Sequence, residues 1–141
     1  MRFQEIVTRL AEHWSSGGRV EDVGTFDPIE RSLDQILPAD YKYFLMWSDG
    51  GETLPPLRRL AFYPIAELLL RRSDGQPPDV LEFCTDDCDG LAFDLRVNRD
   101  TGGYPVIKYP LGDTERQEVE RISPDFRAFL REVIAPAEAS P

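Results

Sequence analysis

Leu37-Pro38-Ala39-Asp40-Tyr41-Lys42-Tyr43-Phe44-Leu45-Met46-Trp47-Ser48-Asp49-Gly50-Gly51 is the stretch that decides the fold. Pro38 has no backbone N–H to leave unpaired in a first helical turn, so it opens a helix at no cost. Tyr41, Phe44 and Leu45 then recur at helical spacing and give that helix one apolar face. Gly50 and Gly51 adopt left-handed backbone most readily and are expected to supply the cap that stops it.

Upstream, Phe3, Ile6, Val7, Leu10 and Trp14 form another apolar stripe of helical period, ended by Ser15-Ser16-Gly17-Gly18. Between the two, Asp27 before Pro28 and three residues ahead of Glu30 reads as an aspartate cap, a first-turn proline and a capping-box acid. That start predicts a short helix carrying Ile29, Leu33 and Ile36.

Downstream the period changes to that of strands. Leu60–Tyr63 reads as a short strand, and Pro64 opens a helical segment with Ile65, Leu68 and Leu69. Val80–Cys84 and Leu91–Leu95 flank the polar turn Asp86-Asp87-Cys88-Asp89-Gly90 and predict an antiparallel hairpin. Tyr104–Tyr109 adds a strand, with Pro105 expected near its start or on an edge. Ser123-Pro124 then opens a helix of Phe126, Phe129, Leu130, Val133 and Ile134. Helices, a meander and a closing helix predict an α+β domain over residues 1–134. Its largely antiparallel sheet carries helices packed on one face, with helices at both the N- and C-terminal ends. Ala135–Pro141, rich in small residues and proline, is expected to be a flexible tail.

With 141 residues the chain has room for one domain with a real core, and 41% hydrophobic against 30% charged residues is the balance of a folded globular protein. Sixteen Lys and Arg against 26 Asp and Glu give a net charge of −10. Nucleic-acid binding is built on neutralising phosphates, so such a surface argues against DNA or RNA as partner. The acidity serves solubility or draws a basic partner. No apolar run has the length of a membrane span, and Met1–Glu5 turns to charge too early for a signal-peptide core. A cytoplasmic protein without membrane attachment is expected, in which Cys84 and Cys88 stay free thiols, although a disulfide across their turn is conceivable.

Motifs for chemistry are missing. His13 is the single histidine, with no second imidazole at metal-binding spacing and no nucleophile beside it in sequence. The run Asp86–Gly90 imitates a calcium loop, but with Gly90 in the glycine position the first ligand would be Thr85 and the last Arg96. Asn98–Gly103 fails in the same way, with Tyr109 where the final carboxylate belongs. Both read as turns in which Asp and Asn bond their own backbone. Neither phosphate-binding glycine pattern occurs. No catalytic residue, metal site or cofactor is therefore expected, and a cysteine-based activity has only Cys84 and Cys88 to rest on.

Leu37-Pro38-x-x-Tyr41-x-x-Phe44-Leu45, followed by a polar residue and Gly50-Gly51, resembles the signature of the SUKH superfamily. So do Leu60–Leu70, the turn and strand Asp89–Leu95, the Pro-Val strand Tyr104–Tyr109 and the Phe126-x-x-Phe129-Leu130 helix, from about Asp27 to Ile134. The chain departs from that pattern where Asp49 replaces a customary asparagine, where Thr85–Asp89 replaces a glycine run, and at Pro110–Asp113. The superfamily includes fungal cell-wall synthesis regulators and many bacterial immunity proteins against secreted toxins, so the resemblance implies a non-enzymatic protein-binding domain. It implies either toxin neutralisation or a regulatory, scaffolding role. Loops are where such recognition varies. Candidate contacts for a basic protein partner are Asp86, Asp87 and Asp89 on the hairpin turn, Asp49 and Glu52 after the Leu37 helix, Asp113 and Glu115 beyond the Pro-Val strand, and Trp47 as an aromatic anchor.

Overall fold

Among the described residues seven antiparallel strands run in sequence order, each paired with its chain neighbours, so the sheet is a plain meander. The structure is a computed structural model that describes residues 2–18, 26–73, 79–98, 100–110 and 119–138. Its elements are α1 (Phe3–Ala11), β1 (Trp14–Ser16), α2 (Asp27–Leu33), α3 (Ala39–Trp47), β2 (Gly51–Thr53), β3 (Ala61–Phe62), α4 (Ile65–Ser73), β4 (Val80–Thr85), β5 (Asp89–Asp94), β6 (Val106–Pro110), β7 (Glu120–Ser123) and α5 (Phe126–Glu138). The α+β class and the terminal helices are as the sequence predicts.

The core is aromatic. Phe83 of β4, at the register shift between Glu82 and Cys84, stacks on Phe93 of β5 at 4.4 Å between centroids. Tyr41 meets Phe93 edge-on at 5.0 Å, and Phe126 meets Phe44 at 5.4 Å, which pins α3 and α5 onto the sheet. Each such ring contributes about 2–3 kcal/mol through buried area alone, with edge and offset geometries adding to it. Burial of Tyr41 pushes its phenol well above the ordinary range, so it stays neutral. On the opposite face Val80, Ala92, Ile107 and Tyr109 form a second, smaller buried cluster.

Four local expectations are corrected by tertiary contacts. Trp14 continues the stripe of α1 in sequence, yet the helix stops at Ala11 and Trp14 belongs to β1, opposite Thr53. Its indole N–H donates to Ser48 Oγ at 2.9 Å, and its ring occupies the place a Cβ on Gly51 would take, 2.5 Å from Trp14 Cζ2. Pairing with β2 and this seat for the ring outweigh one more helical turn.

Secondly, Glu30 does not close a capping box. α2 has no side-chain cap; Glu30 reaches forward, accepting the Leu37 N–H at 2.7 Å and pairing with Lys42 at 2.8 Å, so it ties α2 to α3. Ile36 lies beyond that helix and is 48% exposed. Thirdly, α3 ends on an extended Ser48, not on a left-handed glycine. Gly50 (φ 78°) and Gly51 (φ 144°) instead turn the chain into β2.

Lastly, α5 continues past Ile134 to Glu138, taking in residues expected in the tail. Ala135 and Ala137 are strong helix formers, Ala137 packs against the core, and Glu138 pairs with Arg9 of α1. β1, β2 and β7 have no counterpart among the expected strands, because runs of three or four residues carry too little periodicity.

Candidate protein-binding surface

The sheet collects one group of the candidate acids and separates the others. Register places Glu52 opposite Ala61, Ala61 opposite Thr85, and Thr85 opposite Gly90. At about 4.8 Å per strand, Glu52 thus lies about 10 Å across the sheet from Thr85, where the Asp86–Asp89 turn begins. Glu52 and Asp87 are exposed there.

The three turn aspartates are not equivalent. Asp86 folds the turn: its Oδ1 accepts the N–H of Cys88 at 2.9 Å and of Asp89 at 2.7 Å, and its own N–H donates to Asp89 O at 3.2 Å. Asp87 projects into solvent with Arg59 at 4.0 Å, both side chains about three-quarters exposed, a pair worth little in water. Asp89 is half-buried and borders a groove shared with Lys108, Tyr109, Pro110, Val119 and Glu120. Asp113 and Glu115 lie outside the described residues.

Trp47 and Asp49 are engaged in the framework instead. Trp47 is half-buried, 5.5 Å from Trp14 and 5.8 Å from Phe44. Asp49 Oδ1 accepts the Ile65 N–H at 2.8 Å, so it caps the first turn of α4.

One constellation has no motif in the sequence. Glu82, 4% exposed, lies on the outer face of β4 and receives hydroxyl hydrogen bonds from Tyr63 and Tyr109, each at 2.6 Å. Gly90 beneath it leaves room for the carboxyl, since a Cβ there would lie 2.5 Å from Glu82 Oε1. A buried carboxylate must find donors, and here they cross-link three strands or their flanks. The sign in the sequence was a lone acid between Leu81 and Phe83 in an otherwise apolar strand.

Asp94, also buried, accepts two hydrogen bonds from the Arg96 guanidinium, at 2.9 and 3.1 Å, and one from the Arg96 N–H at 3.1 Å. Burial alone would raise its carboxyl, but these bonds and the Arg96 charge outweigh it and hold the group below the usual carboxylate range. Cys84 and Cys88 are both free thiols. Burial pushes the Cys84 thiol well up and keeps it protonated and unreactive, whereas Cys88 is exposed on the turn. Among the described residues no group of three His, Cys, Asp or Glu is placed to hold a metal ion, and no helix is long and apolar enough to cross a membrane.

The description SMI1 / KNR4 family (SUKH-1) matches residues 23–132, from before α2 into α5, and the chain belongs to that family. No curated protein matches it.

Proposed function

We propose that this protein is a cytoplasmic immunity-type protein that neutralises a basic toxin by binding and covering it, without turnover of its own. The observation that carries the reading is the exposed pair Glu52 and Asp87 at one end of the sheet of a family domain whose net charge is −10. A net acidic charge speeds encounter with an oppositely charged cleft and exposed acids set its orientation, Arg59 being a weak surface partner beside Asp87. Asp89 extends the same rim, and Asp86 serves it by holding the turn.

Capture by the tagged protein from its native cell lysate, at low and moderate salt, followed by mass spectrometry, tests this. The expected result is stoichiometric capture of one basic protein, weakened by salt and by the joint change Glu52→Lys with Asp87→Lys. Capture that ignores both salt and charge reversal removes the electrostatic reading. Recovery of several cell-envelope or signalling proteins replaces neutralisation with the scaffolding role found among the fungal members of the superfamily.

A further inference from the structure

Where α5 crosses β6 and β7, a cavity of about 240 Å³ opens between Arg58, Lys108, Ile122, Phe129, Glu132 and Val133. Its floor is apolar: Phe129 and Val133 are buried and Ile122 half-buried. Its rim carries two cations, which is unexpected in a chain with ten more acids than bases.

The charges around it are not evenly spent. Arg58 makes no ion pair among the described residues, and its field reaches inward far enough to oppose the rise in the buried Cys84 thiol. Among the described residues Lys108 has one ion-pair partner, Glu120, at a loose 3.6 Å, and that carboxylate is 67% exposed. Glu132 accepts the Ser123 hydroxyl at 3.1 Å. A guanidinium over an apolar floor suits a planar carboxylate attached to an apolar body, because the fork binds the oxygens while the body leaves water.

We propose that this cavity binds an organic carboxylate with an apolar body, about the size of a single ring or a short branched chain. It differs from the protein-binding reading, which rests on the acids Glu52 and Asp87, although Lys108 also lines the groove beside Asp89. The same chemistry is offered by a free organic acid and by the carboxyl end of a peptide chain.

Titration of the full chain followed by methyl NMR at Ile122 and Val133 tests it. The probes are 3-phenylpropanoate, its neutral amide, acetyl-Gly-Phe with a free carboxyl, the amide of that peptide, and inorganic phosphate. The carboxylates are expected to shift these methyls with dissociation constants on the order of 1 mM, and the amides to bind about tenfold more weakly. Arg58→Gln with Lys108→Gln, both at the rim, is expected to weaken the carboxylates by about the same factor while leaving the remaining spectrum in place. Tighter binding of the free acid points to a small metabolite and tighter binding of the peptide to a chain end, and either upholds the site. Equal binding of acid and amide, methyl shifts with phosphate alone, or no shift by any probe up to about ten times that concentration overturns it.

Discussion

Two short stretches of this chain look alike in sequence and behave differently. Ser48-Asp49-Gly50-Gly51 and Asp86-Asp87-Cys88-Asp89-Gly90 are both polar, acidic and closed by glycine, at the exit from a helix and between two strands. In the first, every component is committed to the framework. Asp49 caps α4, a Cβ on Gly50 would lie 2.7 Å from Pro64 N, and one on Gly51 would lie 2.5 Å from Ser15 O. In the second, Asp86 and Gly90 do the structural work, while Asp87 points into water. The difference teaches that residue type does not assign an acid to recognition; what packs against its neighbours does.

The contrast is sharpest at Gly51, where Gly51→Ala is expected to destabilise by about 3 kcal/mol. The new Cβ meets a backbone oxygen that cannot rotate away, on a residue at φ 144° that L side chains rarely adopt. Calorimetry should show the melting temperature falling by roughly 10 °C, and an unchanged midpoint would mean that the first stretch is looser than its contacts imply. Gly90→Ala tests the base of the second stretch. Its Cβ would press on Glu82 Oε1 at 2.5 Å and the Tyr109 ring at 3.0 Å, so about 2 kcal/mol should be lost, less than at Gly51 because side chains yield. Asp49→Ala removes a helix cap and should cost about 1 kcal/mol in urea unfolding, with Asp49→Asn recovering most of it.

A pH measurement probes another committed acid, Asp94. Its folded carboxyl is held down by Arg96, whereas the unfolded one titrates at about 3.9, so the stabilising contribution is complete above the unfolded value. It is lost as pH falls through the folded value. Urea unfolding from pH 6 to pH 2.5 should therefore show a fall in stability that Asp94→Asn reduces by roughly 0.5–1 kcal/mol. At the opposite extreme, Asp87→Lys should change stability by no more than about 0.5 kcal/mol in either direction. A larger loss there would show that the turn's tip belongs to the framework after all, and would break the comparison.

Much of the architecture was legible because it is local. α3 could be read from Tyr41, Phe44 and Leu45, α5 from its Phe129-Leu130 stripe, and the β4–β5 hairpin from two apolar runs around a polar turn. Trp14 reads as helical because its spacing from Leu10 fits a helix, while the reasons for a strand, Ser48 and Gly51, come more than thirty residues later. The Glu82 site shows in the sequence only as a lone acid in an apolar strand, because its tyrosine donors are 19 and 27 residues away. Of the candidate recognition acids, the turn could be located, but nothing local distinguished Asp86, bonded to two backbone N–H groups, from exposed Asp87.

The sequence by itself determined the class of fold, the acidic surface and the absence of familiar catalytic motifs, because periodicity, turn chemistry and composition are properties of neighbouring residues or of the whole chain. Only the tertiary structure decided that Trp14 joins a strand, that Asp49 caps a helix, that Glu52 stands two strands from the Asp86 turn, and that Arg58 and Lys108 share a cavity. Those facts depend on which distant segments meet. The meander register and the aromatic packing settle that together, and no local pattern encodes either one.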